Sequence, residues 1–303
     1  DFHFYIPSLR DIIINEIFPD PSPSIGLPDA EFIELYNTSG LNFPLDLNGW
    51  TISDPSTTSI IPDCSLAKGE YLILCSPADT SKYKIYGKVV GIPSIPGLNN
   101  DGDKLTLKDD NGEIINEINY TLDWYQDDVK KDGGWTIERI DPFTKCSNKF
   151  NWESSEDPTG GTPGKINSVY ATYNDINPPV LLWFNIQDSL HIVLQFSELI
   201  DSNTISTLNC YNINNNMGIP QTITTNPPQY DYVLLNLSKP LEKGTTYELE
   251  IKNLKDCPGN IMKTIRLEFG MPEPPDSLDL VINEILFNPL PNGYDFVELY
   301  NRS

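Results

Sequence analysis

The sequence predicts an all-β protein made of tandem β-sandwiches, and three observations predict it. Short β-branched and aromatic runs are separated by turn residues at a spacing of roughly 8–12 residues, as in sandwiches rather than β-α units. No stretch of a dozen residues keeps apolar side chains at i, i+3, i+4 and i+7, as an amphipathic helix must. The chain of 303 residues carries 26 prolines. Proline is poor inside helices and central strands, so it favours many short elements joined by turns.

The elements follow in order. IIINEIF (12–18) and EFIELYN (31–37) read as strands, joined by a loop with Pro19, Pro21, Pro23 and Pro28. YLILC (71–75), KLTLKD (104–109), EIINEINY (113–120) and WTIERI (135–140) follow. Asp110-Asn111-Gly112 joins two of them, and Asn-Gly favours a tight hairpin because both residues tolerate positive φ. Gly160, Gly161, Pro163 and Gly164 form a breaker cluster, and Pro178 and Pro179 open a new apolar run, so a boundary is expected near 160–178. In LHIVLQF, Leu190, Ile192, Leu194 and Phe196 share one face. YVLLNL (232–237) and TYELEIKNL (246–254) continue the pattern.

The chain then repeats itself. LVINEIL (280–286) and DFVELYN (295–301) echo the first two strands. The NEI triplets begin at Asn15 and Asn283, 268 residues apart, and the ELYN tetrads at Glu34 and Glu298, 264 apart. The second loop, with Pro289 and Pro291, is therefore four residues shorter. Repeats of this kind mark modular arrays. The organisation expected is a leader at 1–10, a sandwich at 11–172, a second at 176–270, a Pro-rich linker at 271–279, and at 280–303 the first hairpin of a truncated second copy. An isolated hairpin is marginal in water. The 280–303 segment is therefore expected to dock on one of the chain's own sandwiches or to exchange strands with another chain.

Composition limits the function classes. Apolar residues make up 39% and aromatics 11%, enough for packed cores. The formal net charge is -23, which opposes binding to nucleic acid and to anionic lipid. No window approaches the roughly 18 apolar residues of a membrane span. No charged-then-apolar signal opens the chain, as expected of a mature form or an excised fragment. Five cysteines (Cys64, Cys75, Cys146, Cys210, Cys257) show no C-x-x-C spacing, which excludes redox and zinc-ribbon motifs. Cys210 and Cys257 both fall near element ends of the second sandwich and are expected to form a disulfide. Cys75 reads as a buried thiol, and Cys64 and Cys146 carry no expected pairing. The N-x-[ST] tripeptides at Asn37, Asn119, Asn236 and Asn301 are given no weight in so Asn-rich a chain.

Candidate sites are few. Glu16 and Glu34, repeated as Glu284 and Glu298, have the chemistry of an acid–base pair or of ligands for a hard cation. The alternative is that they accept backbone N–H bonds or lie on a solvated face. Asn99, Asn100, Asp101, Gly102 and Asp103 miss the register of a calcium loop and read as a capped turn. Trp124, Tyr125, Asp127 and Asp128 pair aromatic rings with carboxylates, a combination that stacks on and hydrogen-bonds sugars. They are the candidate ligand-binding residues, and the competing role for the two rings is core packing. Trp50, Trp135 and Trp152 are expected in the first core, and Trp183 in the second. His3 and His191 are the only histidines, and no Gly-x-Ser-x-Gly turn exists. No catalytic residue, metal site or cofactor is expected.

IIINEIF, EFIELYN, LDLNGWTISD (45–54), GEYLILC (69–75) and LNNDGDKLTLKDDNGEIINEI (98–118) together resemble the lamin-tail domain of bacterial surface and secreted proteins. WYQDDVKKDGGWTIERIDP (124–142) and NW…GGTPGKINSV (151–169) are similar to its bacterial version. Residues 176–270 resemble a bacterial Ig-like domain, through FSELID (196–201), LEKGTTYELEIKNLKD (241–256) and Gly259-Asn260. These resemblances imply tandem immunoglobulin-like β-sandwiches and no catalytic residue. They imply a non-enzymatic region of an extracellular or cell-envelope protein that spaces, tethers or adheres, with a glycan or protein as ligand. The alternative is the accessory region of a large secreted hydrolase whose catalytic domain lies outside the chain.

Overall fold

The structure, a computed structural model, describes residues 5–144, 149–172, 174–227, 229–271, 276–290 and 293–302. His3, Cys146, Pro291 and linker residues 272–275 fall outside them. Two compact units form: Asp1–Pro178 with Asp256–Asn260, and Pro179–Lys255 with Ile261–Ser303.

Twelve strands are described in the first unit: β1 (Ile12–Phe18), β2 (Phe32–Asn37), β3 (Leu45–Asp46), β4 (Thr51–Ser53), β5 (Thr58–Ile60), β6 (Ser65–Leu66), β7 (Tyr71–Cys75), β8 (Val89–Gly91), β9 (Gly102–Lys108), β10 (Ile114–Thr121), β11 (Ile137–Arg139) and β12 (Trp152–Ser154). Six make one sheet, in the order β12-β11-β1-β2-β7-β8, and four make another, β10-β9-β4-β5. All pairs are antiparallel except β7 with β8. Ile12, Ile14, Ile17, Ile33 and Leu35 from the first sheet meet Ile52, Leu105, Leu107 and Ile118 from the second in a core that also holds Trp50 and Trp152. Burying each such aliphatic side chain contributes roughly 1.5–3 kcal/mol. The Asp110-Asn111-Gly112 turn joins β9 to β10 as the Asn-Gly pair requires, with Gly112 at φ +84°. At the loop before β9, Gly102 N–H closes onto Asn99 O at 3.2 Å and Asn99 Nδ2 donates to Asp103 at 2.8 Å, the capped turn expected there.

The second unit holds β13 (Leu181–Asp188), β14 (His191–Phe196), β15 (Tyr211–Ile213), β16 (Thr222–Thr225), β17 (Tyr232–Asn236), β18 (Thr246–Ile251) and β19 (Ile265–Gly270). Its sheets run β13-β14-β17-β16 and β15-β18-β19. Ile192, Leu194 and Phe196 point into its core with Val233, Leu235 and Leu249. Both units are thus β-sandwiches of the immunoglobulin-like kind. Trp183 is not core, contrary to the sequence expectation. The ladder between β13 and β14 shifts register between Leu181 and Trp183, and this irregularity leaves the indole 48% exposed on an edge strand.

The repeat forms a hairpin, β20 (Leu280–Leu286) and β21 (Phe296–Asn301), as a two-stranded sheet. Ile282 and Leu299 are each 61% exposed, so both strands keep open apolar surface.

Candidate functional site

The first sheet carries an acidic row that strand pairing builds directly. Glu16 of β1 lies opposite Glu34 of β2 on one side and Glu138 of β11 on the other. The β1–β2 register shifts between Ile14 and Glu16, a bulge at Asn15. Strict alternation would send Glu16 to the same face as Ile12 and Ile14, into the inter-sheet core. The extra residue reverses the phase, so Ile17 enters the core and Glu16 joins Glu34 on the outer face.

That outer face is not solvated. Glu16, Glu34 and Glu138 are all 0% exposed. The segment 159–169, which holds the Gly-Gly-Thr-Pro-Gly run, lies over the row and donates to it. Thr162 N donates to Glu16 Oε1 at 2.8 Å, and Gly164 N to Glu34 Oε2 at 2.6 Å. Glu138 accepts from Thr162 Oγ1 at 2.7 Å, Ser168 Oγ at 2.8 Å and Val169 N at 3.2 Å. Asn15 completes the arrangement. Its amide donates to Glu34 Oε1 at 3.0 Å and to Asn167 Oδ1 at 2.8 Å. Asn167 returns two bonds, to the carbonyls of Asn15 and Arg139.

Close approach explains the glycines. A Cβ at Gly161 would meet Thr136 Cγ2 at 2.5 Å and Glu16 Oε1 at 2.8 Å. At Gly164, with φ +78°, it would meet Tyr86 O at 1.9 Å. The glycine run closes over the first sandwich, and the two units divide between Pro178 and Pro179.

Burial dominates the electrostatics. It raises Glu16 well above the usual carboxylate range, and the neighbouring charges of Glu34 and Glu138 raise it further. Burial also pushes Glu34 up to about 8, against the bonds from Gly164 and Asn15, which favour the charged form. Thr136 lies beside Glu16 and favours its charged form. Neither Glu16 Oε2 nor Thr136 Oγ1 completes a hydrogen bond, however. A proton on Glu16 Oε2 would resolve both, because the acid O–H then donates to the threonine oxygen. The row is a sealed clamp on one loop. Of the two sequence readings, acceptance of backbone N–H bonds is the one the structure supports for Glu16 and Glu34, on a buried face.

The other candidates separate. Trp124 and Tyr125 are buried, Trp124 against Trp152 with ring centroids 5.1 Å apart, so neither ring is a stacking surface for a sugar. A short 3₁₀ turn, Leu122–Tyr125, hangs both rings inward. Asp127 and Asp128 remain at the surface. Asp127 accepts from Val129 N and Lys130 N, and Asp128 pairs with Lys131 at 2.6 Å. They line a shallow groove of about 420 Å³ with Phe150, which is half-exposed. Sequence reading missed a smaller cleft of about 120 Å³ beside the carboxyl row, where the Tyr36 and Tyr71 rings stack at 4.6 Å. Their cross-strand pairing is the signal that locates it. His191 Nδ1 sits 2.7 Å from Asp188 at the surface.

The expected Cys210–Cys257 bridge does not form. Cys210 is a free thiol buried just before β15, in the core, whereas Cys257 is engaged in a disulfide. Nearness to element ends fixed neither residue's direction. Cys64 and Cys75 are also free, and Cys75 is buried, as expected.

Comparison with known proteins identifies the modules. Residues 7–122 match the family model described as Lamin Tail Domain, and residues 179–270 that described as Bacterial Ig-like domain. No curated protein matches the chain. Among solved structures, the N-terminal part of the bacterial S-layer protein SbsC is 20% identical, with a TM-score of 0.29 over 35% of this chain and 26% of that one. The S-layer protein rSbsC(31-844) is 21% identical, with a TM-score of 0.28 over 40% of this chain and 18% of that one. The chain therefore spans about a quarter or less of those proteins. No helix among the described residues is long and apolar enough to cross a membrane.

Proposed function

We propose, for a chain that joins a lamin tail domain to a bacterial Ig-like domain, that it is a non-catalytic stretch of modules in a bacterial cell-surface or secreted protein, where it spaces and tethers other parts. The observation that carries this is the repeat. The same strand pair, with the same bulge and the same Asn–Glu contact, recurs after an Ig-like module, as expected of a serial array. The carboxyl row supports the reading. Its acids could in principle move protons, but they are sealed under a loop and spend their oxygens on it. A substrate would have to displace that loop to reach them.

Antibodies raised against the purified chain test the location. Labelling of intact cells or of the culture medium is expected, and labelling only after lysis refutes it. Turnover of phosphodiester, glycoside or peptide reporters by the purified chain, lost on one substitution, refutes the non-catalytic part.

A further inference from the structure

The small cleft beside the carboxyl row joins two kinds of surface. Its walls are rings. Tyr36 and Tyr71 stack across β2 and β7 with centroids 4.6 Å apart, and Phe143 meets Tyr36 edge-on at 6.2 Å. Phe143 and Tyr170 stand at its rim, 58% and 50% exposed. Its floor is polar. Asn15 is only 2% exposed, and both its amide hydrogens are spent, on Glu34 Oε1 and Asn167 Oδ1. These bonds fix which way the amide faces. Asn15 Oδ1 accepts from no described residue, and unlike Glu16 Oε2 it is not sealed from solvent. The cleft is where it opens. Its neighbours on the floor are committed elsewhere. Asn167 bonds Asn15 and two backbone carbonyls, and Arg139 gives its Nε to Ile14 O and its plane to the Trp152 ring.

We propose that this cleft binds one neutral pyranose ring, the terminal residue of a glycan, with a ring hydroxyl donating to Asn15 Oδ1 and the C–H face against the tyrosine rings. The volume of about 120 Å³ matches one six-membered ring, since a cavity of about 150 Å³ holds benzene. The floor presents an acceptor, so the guest must bring a donor. A hydroxyl supplies one, whereas a proline ring, the other common guest of aromatic-lined grooves, has none. A purely apolar guest would leave Asn15 Oδ1 dry and unpaired. The net charge of -23 opposes an acidic sugar. The cleft is also preformed, because the loop that caps Glu16 and Glu34 supplies Ile166 and Asn167 to its lining. A rigid site loses little freedom on binding. The site lies apart from the groove at Asp127 and Asp128, and it does not depend on the array reading.

The test titrates the full chain with the methyl glycosides of glucose, galactose, mannose and N-acetylglucosamine, followed by saturation-transfer NMR. Saturable binding of at least one is expected, with Kd on the order of 1 mM and the strongest transfer to its ring C–H protons. Tyr170→Ala and Phe143→Ala, both at exposed positions, should each weaken it at least fivefold without lowering the melting temperature. Phe150→Ala, in the other groove, should leave it unaltered. Analogues of the bound glycoside with fluorine replacing each hydroxyl in turn need no variant. Fluorine cannot donate, so one of them should lose at least tenfold in affinity. Absence of saturable binding by all four glycosides up to about 50 mM overturns the proposal. So does binding that both rim variants keep or that Phe150→Ala removes, tolerance of fluorine at every position, or occupation of the cleft by a proline-rich decapeptide in place of the glycosides.

Discussion

Asn15 donates its side-chain amide to Glu34 Oε1 at 3.0 Å, and Asn283 makes the same bond to Glu298 although it is exposed. The contact is therefore written into the strand pair itself, by a bulge that aims both side chains the same way. In the first unit it is buried, and losing it has a cost. Asn15→Ala removes donors from Glu34 and Asn167 in a dry site, which costs about 2–3 kcal/mol. Asn283→Ala should leave the first unit unchanged. Urea melts followed by tryptophan fluorescence read the difference, since four of the five tryptophans belong to the first unit.

The buried acids make stability pH-dependent. Glu16 and Glu34 hold their protons more tightly when folded than when unfolded, where the usual value is 4.5. Below about pH 4.5 both states are protonated and the two acids contribute no slope. As pH rises toward 8 the unfolded chain has released these protons while the folded chain retains them, so stability falls through that window. Each group contributes at most about 1.4 kcal/mol per pH unit. Urea midpoints should decline from pH 5 to pH 8. A midpoint that rises over that range refutes the assignment.

Two isosteric substitutions in this row should act in opposite directions. Glu16 Oε1 accepts from Thr162 N, while Oε2 has only the Thr136 hydroxyl beside it. Glu16→Gln can keep the acceptor and donate from its amide to Thr136, so it should stabilise the first unit at pH 8 and flatten the pH profile. Glu34 accepts at both oxygens. Above pH 8, where Glu34 is charged, Glu34→Gln turns an NH₂ toward a donor and should cost about 2–3 kcal/mol. Equal effects of the two substitutions would refute the hydrogen-bond assignment.

What the sequence made legible was local. IIINEIF and YLILC form strands with the bounds their β-branched runs set, and Asn111-Gly112 makes its turn. The second NEI–ELYN pair folds as the first does because bulge and amide contact need only two strands. The burial of Glu16 was not legible. Period-2 alternation cannot register a bulge, and the partner loop lies 146 residues away. Gly160, Gly161 and Gly164 signalled freedom of the backbone without saying what would approach it. Trp183 and the Cys210–Cys257 pairing failed for the same reason. Side-chain direction on an irregular strand or at an element end depends on ladder register, which composition does not encode.

The loop's glycines give a steric test. Gly164→Ala sets a methyl 1.9 Å from Tyr86 O at a φ of +78°, so backbone must move and the N–H to Glu34 is lost. A cost of about 2–3 kcal/mol is expected, with faster amide exchange at 162–169. Gly112 is the control. Its φ is similarly positive, but a Cβ there meets nothing within 4 Å, so Gly112→Ala should cost only the backbone preference, about 1 kcal/mol. Equal losses at the two positions would mean that the loop does not seal the row.

Cysteine reactivity gives the last test. Cys64 is half-buried and free, with burial raising its thiol above the ordinary range. Cys75 is fully buried, and burial pushes its thiol up to about 11. Cys210 is buried and likewise raised. Only the thiolate reacts with iodoacetamide, so exposure and thiolate fraction together set the order. Cys64 should be alkylated first and slowly in the folded protein, Cys75 and Cys210 only on unfolding. Cys257 should stay unmodified even in denaturant until a reductant opens its disulfide. Peptide mapping by mass spectrometry after each step reads all four. Protection of Cys210 in unreduced denaturant would restore the pairing of Cys210 with Cys257 that the fold argues against, and alkylation of Cys257 there would refute its disulfide.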